Sequence, residues 1–254
     1  MKIPKVFLPE KDLEKKVSEL ITPSLIPGEG WIVEAEEFYA ERISKALAAL
    51  LREGYKPLFM PSIIDMRIEA SGDERIWKYW YTTSSVMITG RTKQGSAVVV
   101  YAHVPNCLSN LDNMTKKEGG EKDVWTVPQD EFQRLLGLED DKNVFVVDYE
   151  TLKNSKSGVI ELKYALEHPQ TIPSLGGIER AEKYLERHKE VYREKMGVWH
   201  SDDLDNKPIG RFLFLGFSYS NCLYSNGFFS DARFVGVYKN TLGAAQKIVL
   251  TFDT

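Results

Sequence analysis

The feature that most constrains the fold of this chain is a predicted β-hairpin in its central part. The first half, IWKYWYTTSSVMITGRT from Ile76, is rich in aromatic and β-branched residues, which suit a pleated surface. The residues KQG separate it from SAVVVYAHV, whose strand Ala97–Ala102 is apolar on both faces. Because a strand without a polar face has to be covered from both sides, we expect this strand in the centre of a sheet rather than at its edge.

Segments on either side of the hairpin alternate between helical and strand-like patterns. Apolar residues recur at helical spacing in the segments 11–21, 34–54, 127–138, 157–168 and 174–197. Short apolar runs typical of strands occupy the segments 55–60, 143–148, 210–217, 232–238 and 245–252. These patterns predict an α/β or α+β fold, with a mixed β-sheet of about six or seven strands flanked by roughly four or five helices.

The domain organisation follows from the length and from the absence of an obvious linker. A chain of 254 residues can form one large domain or two small ones. No Ser/Gly-rich or Pro-rich linker interrupts the chain, so we predict a single compact domain over 1–254. The alternative is a boundary within 111–125, because LDNMTKKEGGEKD is polar, contains paired glycines and is predicted to be a mobile loop.

The composition excludes several classes of protein. The net charge is −4 and the pI is about 5.7, so no overall basic field attracts nucleic acid. The N-terminus lacks the apolar core of a secretory signal, and no run approaches the roughly 18 apolar residues of a membrane span. Two cysteines, Cys107 and Cys222, are too few for a disulfide scaffold. We therefore expect a cytoplasmic protein with reduced thiols that binds neither nucleic acid nor membrane.

Two predicted strands end on a side chain that could take part in catalysis. VVVYAH ends at His103 and VFVVD ends at Asp148. In open α/β sheets ligands bind beyond the carboxyl ends of strands, where a histidine or a carboxylate can act as acid, base or metal ligand. Each residue also has a structural interpretation: His103 can bond a backbone carbonyl, and Asp148 can cap the turn that follows it.

The segment GVWHSDDLDNKPIGR contains the candidate metal ligands. His200 and Asp202 are two residues apart, so in an extended segment they point the same way and could supply two ligands to a divalent metal. The alternative is a solvated turn, because Asp202, Asp203, Asp205 and Asn206 are turn formers between a helix and a strand. The spacing is much less specific than two histidines four residues apart on a helix.

The segment SYSNCLYSNGFFSD, 218–231, is dense in Ser, Asn and aromatic residues. Amide hydrogen bonds and ring stacking suit the binding of sugars or other small polar ligands. The candidate ligand-binding residues are Tyr219, Asn221, Tyr224 and Asn226. A plain turn is the alternative, because Asn226-Gly227 is a strong turn signal.

Two tryptophans in the first half of the hairpin have different expected roles. Trp77 and Trp80 lie close together on opposite faces of the predicted strand. Packing is the default role of both, and if they differ, Trp77 covers the core and Trp80 lines a groove.

Three hypotheses about function follow. The first is a small-molecule enzyme, with a divalent metal as candidate cofactor, which requires His103, Asp148 and either His200 or Asp202 within about 12 Å of one another. The second is a non-catalytic module that binds a polar ligand or a carbohydrate. The third is a structural protein whose exposed aromatic residues form a homo-oligomer interface.

Overall fold

The computed structural model describes residues 21–23, 35–109, 124–140, 142–201, 203–217, 222–226, 231–238 and 250–252. The predicted helix 11–21, apart from Ile21, and the predicted loop 111–123 lie outside the described residues, as do the candidate site residues Asp202, Tyr219 and Asn221.

The described residues combine helices with mostly antiparallel strands, so the fold is of the α+β kind. The strands are β1 Ile21–Pro23, β2 Ala35–Ala40, β3 Tyr55–Pro57, β4 Tyr81–Arg91, β5 Ala97–Ala102, β6 Trp125–Thr126, β7 Val144–Asp148, β8 Gly158–Glu161, β9 Lys195–Val198, β10 Ile209–Leu215, β11 Cys222–Asn226, β12 Ala232–Tyr238 and β13 Leu250–Phe252. The α-helices are α1 Ile43–Arg52, α2 Met60–Glu69, α3 Arg75–Lys78, α4 Gln129–Leu136, α5 Tyr149–Lys153, α6 Thr171–Leu175 and α7 Ile178–Tyr192. Short 3-10 turns cover Cys107–Ser109 and Leu162–Tyr164. No helix among these is long and apolar enough to span a membrane.

The largest sheet within the described residues has eight strands, in the order β7-β5-β4-β10-β11-β9-β8, with β6 paired to β10. Its ladders are antiparallel except that between β9 and β11, which is parallel, so the predicted mixed sheet is confirmed. Strand β5 lies between β4 and β7, as expected of a strand that is apolar on both faces.

Both faces of this sheet are covered, and alternation along the strands assigns each residue to one face. On β4, Met87 packs in the core beneath α2 and α7, whereas Val86 and Ile88 pack on the opposite side with α1 and α4. Leu47 of α1 and Phe132 of α4 are fully buried on that second side. The predicted layers of helix on each side of the sheet are therefore present.

A three-stranded antiparallel sheet, in the order β2-β12-β3, contributes to both cores, with Val235 in the first and Phe234 in the second. The backbone of Leu58 links the two sheets, because its amide donates to the carbonyl of Val235 and its carbonyl accepts from Ser84, both at 2.9 Å. Strands β1 and β13 pair antiparallel in a further two-stranded sheet.

Two predicted helices contain strands. Of the predicted helix 34–54, only Ile43–Arg52 is helical, and residues 35–40 form β2. Of the predicted helix 157–168, residues 158–161 form β8, which pairs with β9. In both segments pairing with a strand that is distant in sequence overrides the local helical periodicity.

Three other boundaries differ from the prediction. The strand predicted over 55–60 ends at Pro57, and Pro61 lies in the first turn of α2, where its missing N–H costs nothing. The predicted strand from Ile76 begins only at Tyr81, after α3. The predicted helix 174–197 is broken by Gly176 and Gly177, whose φ angles are +78° and +111°, and its last residues form β9.

Candidate functional site

His103 is a buried structural residue at the end of β5. Its Nε2 lies 2.8 Å from the carbonyl oxygen of Pro173, which can only accept, so Nε2 carries the proton. Nδ1 therefore accepts from the hydroxyl of Ser85 at 2.8 Å, and the same hydroxyl oxygen accepts from the amide of Met60. Burial lowers the pKa of His103 to about 4, so the ring is neutral at pH 7. Both ring nitrogens are used to join β4, β5 and α6.

Asp148 caps helix α5 at the far end of the β5–β7 pair. Its carboxylate accepts from the amide and the hydroxyl of Thr151, at 2.8 and 2.9 Å, and these bonds lower its pKa. Asp148 lies opposite Val98, whereas His103 lies opposite Asn143. Five residues of strand, about 17 Å at roughly 3.4 Å per residue, separate the two. The pocket required by the enzyme hypothesis is therefore not formed by these two residues.

His200 lies in a small cluster with Ser155 and His168. Its Nε2 is 3.1 Å from the hydroxyl oxygen of Ser155, and the Nε2 of His168 is 3.2 Å from the same atom. The hydroxyl of Ser155 donates to the carbonyl of Leu152 at 2.6 Å. The proton of Ser155 is therefore directed to Leu152 and not to either ring, and Nε2 of His168 also lies 3.2 Å from the carbonyl oxygen of Lys156.

The tautomer of His168 argues against a metal bound between the two rings. The amide of Gln170 donates to Nδ1 of His168, so the ring proton is on Nε2, the atom that faces His200 and Ser155. A metal needs a lone pair on that nitrogen. Among the described residues no group of three or more His, Cys, Asp or Glu side chains could hold a metal ion. The metal prediction gains no support at His200, and Asp202 lies outside the described residues.

A row of three half-buried aromatic side chains crosses from one sheet to the other; we call Tyr39, Trp80 and Phe214 the aromatic row. The ring centroids of Tyr39 and Trp80 are 6.0 Å apart, and those of Trp80 and Phe214 are 5.3 Å apart. Trp77, in contrast, is fully buried and stacks on Tyr184. The expected division between a core tryptophan and a more exposed one is thus observed, although Trp77 lies in α3 and not in a strand.

Charged groups lie directly beside the aromatic row; we call Glu37, Arg75 and Arg233 the arginine cluster. The carboxylate of Glu37 is 4% exposed and accepts from Nε and Nη2 of Arg75 at 3.2 and 3.1 Å. It also accepts from Nη1 of Arg233 at 2.6 Å and from the hydroxyl of Tyr81 at 2.8 Å. Both guanidinium groups also contact the ring of Tyr79, whose centroid is 4.3 Å from Arg75 and 4.6 Å from Arg233.

The electrostatics of this region follow from burial and pairing. Burial alone would raise the pKa of Glu37, but the hydrogen bonds and positive charges of Arg75 and Arg233 outweigh it and lower the pKa. Burial, followed by the hydrogen bond to Asp231, raises the pKa of Tyr39 to about 12. At pH 7 the carboxylate is therefore ionised and the phenol is neutral.

Strand β11 carries two of the candidate ligand-binding residues, Tyr224 and Asn226. Its backbone pairs with β10, with Tyr224 opposite Phe214 and Asn226 opposite Phe212. Tyr224 thus lies in register with one member of the aromatic row. Sequence reasoning missed Tyr39, which falls in the segment predicted as helix, and the arginine cluster, whose members are far apart in sequence.

Comparison with known proteins gives one informative relationship. No protein-family model and no curated protein matches the chain. Among solved structures, the chain is similar to one that is described as showing how the C-type lectin fold accommodates massive sequence variation in Nanoarchaeota. The two are 47% identical with a TM-score of 0.76, over 81% of this chain and 98% of that one. The chain therefore belongs to the same family as that protein and has the C-type lectin fold.

Proposed function

We propose that this protein is a non-catalytic binding protein that holds a polar ligand, with carbohydrates as the first class to test, on the aromatic row and the adjacent strand β11. The observation that carries the proposal is the aromatic row itself. Three half-buried rings offer apolar faces for stacking, and the guanidinium group of Arg233 lies 5.8 Å from the ring of Trp80. Apolar faces next to fixed hydrogen-bond donors are typical of sites for sugars and other polar ligands.

Two further observations favour binding over catalysis. His103, His168 and Ser155 are each held by hydrogen bonds to backbone groups or to a neighbouring side chain. The related nanoarchaeal protein has a C-type lectin fold, and a lectin fold agrees with a carbohydrate or another polar ligand. The enzyme hypothesis has no comparable support, since His103 and Asp148 are at opposite ends of one strand pair.

The related protein also accommodates massive sequence variation, and we extend this property to the binding surface proposed here. The side chains of the aromatic row are half-buried, whereas the two cores are built from other residues of the same strands, such as Leu213 and Phe212. Substitution in the row would therefore change the surface offered to a ligand and leave the residues of the two cores in place.

The experiment is a glycan array followed by isothermal titration calorimetry of the best hit. We expect Trp80→Ala to weaken binding tenfold or more, since loss of about 1.4 kcal/mol is a factor of ten. Trp199→Ala is the matched control, because Trp199 is a 38% exposed tryptophan outside the row. Absence of any hit on the array and in a polar metabolite library, or equal affinity of Trp80→Ala and the wild type, would contradict the proposal.

Assembly through exposed apolar residues stays a prediction. Within the described residues the exposed large apolar side chains are Leu138, Val159, Tyr164, Ile178, Trp199 and Phe217. Light scattering at high protein concentration tests it, because a stable symmetric dimer buries roughly 1,600 Å² or more and does not dissociate readily.

A further inference from the structure

We propose that strand β8, at one edge of the eight-stranded sheet, is a self-association surface. In the proposed contact β8 pairs antiparallel with β8 of a second copy of the chain, and Val159 lies opposite the partner's Val159. The inference goes beyond the proposed function and does not depend on it. It starts from the backbone of β8.

The backbone of β8 carries hydrogen-bonding groups that face away from the sheet. Within the described part of the chain, β8 pairs with β9 alone. The ladder continues to Leu162, whose amide donates to the carbonyl of Glu194 at 2.8 Å. Because bonded and non-bonded pairs alternate along an antiparallel ladder, Val159 and Glu161 fall between the bonded residues. Their amide and carbonyl groups therefore point outward, where they are a template for another strand.

The opposite edge of the sheet, strand β7, is more closed. The bond between the amide of His103 and the carbonyl of Asn143 sets the same alternation there, so Val144 faces away from β5. The amide of Val144 donates to the carboxylate of Asp140 at 2.9 Å, and its carbonyl accepts from the amide of Asp140 at 3.1 Å. Of the side chains of β7 only that of Asp148 is exposed. Of the two edges, β8 is thus the one that offers both backbone and side chains to a partner.

Exposed apolar side chains surround the β8 edge. Of the six large apolar side chains that are exposed in the described residues, three lie here: Val159, Tyr164 in the turn after β8, and Trp199 after β9. Val159 faces outward because its neighbour Ile160 is buried in the first core. Cη2 of Trp199 lies 3.9 Å from the position that a Cβ on Gly158 would occupy, so its ring reaches across to β8. Apolar surface beside an unpaired edge is typical of a protein–protein contact.

The sequence of β8 fits a second copy in one register. Ser157 and Glu161 each lie two residues from Val159, so a two-fold axis at Val159 places Glu161 opposite the partner's Ser157. An axis at Glu161 would instead place two carboxylates opposite each other, which is unfavourable. The contact is isologous, because the same segment supplies both sides of it.

The charges at the two ends of the segment complement each other in this register. Lys156 is exposed and next to Ser157, so it lies one residue from the partner's Glu161. Glu161 also pairs with Lys163 of its own chain at 2.8 Å, but these side chains are 57% and 64% exposed. Such an exposed pair contributes little and leaves Glu161 accessible to the second copy. Parallel pairing, in contrast, would align like charges along the edge.

The experiment measures association of the full chain by sedimentation velocity and light scattering over a range of concentrations up to about 1 mM. We expect a concentration-dependent shift from monomer to dimer. Val159→Pro removes an amide that takes no part in the ladder with β9, so the fold should persist while the dimer is lost. Val159→Thr, which keeps the amide and the β-branched shape, is the matched control and should still associate. A protein that stays monomeric at every concentration, whether or not a foreign extended peptide binds the edge, would overturn the inference.

Two charge variants test the register. Ser157→Glu places a carboxylate opposite the partner's Glu161, and Ser157→Lys places an ammonium group there. Because the dimer contains this pair twice, we expect Ser157→Glu to raise the dissociation constant at least about threefold and Ser157→Lys to lower it. Gln129→Glu and Gln129→Lys, at an exposed position of α4, carry the same changes of charge and should have no such effect. If Val159→Pro does not fold, as judged by circular dichroism, the Ser157 variants decide, since Ser157 precedes β8. Equal association of the two Ser157 variants, or a dimer that persists in folded Val159→Pro, would refute the proposed pairing.

Discussion

Glu37 is the residue whose replacement tests the arginine cluster most directly. Its carboxylate is 4% exposed and accepts four hydrogen bonds, two from Arg75, one from Arg233 and one from Tyr81. Glu37→Gln keeps the shape of the side chain and removes the charge. Two largely buried guanidinium groups then lose the carboxylate that both of them bind, so we expect a large loss of stability.

The magnitude follows from the burial of the partners. Breaking a buried ion pair on one side costs about 3–5 kcal/mol. Because Arg75 and Arg233 are 17% and 13% exposed, water partly screens them, and the lower end of that range applies. A loss of about 3 kcal/mol, at a denaturant dependence of roughly 3 kcal/mol per molar urea, moves the unfolding midpoint by about 1 M.

Urea unfolding at pH 7 measures this shift, and Glu41→Gln is the matched control. Glu41 is 46% exposed and pairs with an exposed lysine, so its replacement should cost less than about 1 kcal/mol. The pKa of Glu37 is lowered in the folded state, so its contribution is complete above the unfolded value of 4.5 and disappears as the pH falls through the folded value. The difference between Glu37→Gln and the wild type should therefore shrink in acid. A shift at pH 7 no larger than that of Glu41→Gln would refute the reasoning.

Three further variants test the packing and the histidines. Gly90→Ala places a methyl group 2.9 Å from two ring carbons of the buried Phe132, so thermal unfolding should show a loss of about 1–3 kcal/mol. Asp148→Ala removes the cap of α5 and should lower the midpoint of urea unfolding slightly without changing ligand affinity, whereas a large loss of affinity would return Asp148 to the functional site. Burial lowers the pKa of His188 to about 4, so the unfolded chain takes up a proton between pH 6.5 and 4 that the folded chain does not. The wild type therefore loses stability as the pH falls through that window. His188→Phe lacks this titration, so in urea titrations its free energy of unfolding should rise relative to that of the wild type between pH 7 and 5.

The parts of the fold that could be predicted are those fixed by neighbouring residues. The position of β5 followed from apolar residues on both faces, and the layers on each side of the sheet followed from the position of β5. The structural interpretations of His103 and Asp148 are also borne out by their bonds to Pro173 and Thr151. For β5 and Asp148 the determining contact is either local or a direct requirement of strand geometry, whereas the carbonyl that His103 bonds is 70 residues away in the chain.

The parts that could not be predicted depend on distant partners. Residues 35–40 carry a helical pattern, and only the pairing with 232–238 makes them a strand. The aromatic row brings together Tyr39, Trp80 and Phe214, which have nothing in common in the sequence. The titratable residues at strand ends, His103 and Asp148, are visible in the sequence, but the aromatic row lies elsewhere.

The pairing of β2 with β12 also has a consequence for biosynthesis. Glu37 and Arg233, which meet in this region, are 196 residues apart in the chain. At a synthesis rate of roughly 5–20 residues per second, the ribosome needs on the order of 10–40 s to supply the partner of β2. During that time β2 is an unpaired strand with apolar residues, the kind of segment that associates with other chains or recruits chaperones. Refolding in vitro should likewise be slow, because contacts of such long sequence separation form late.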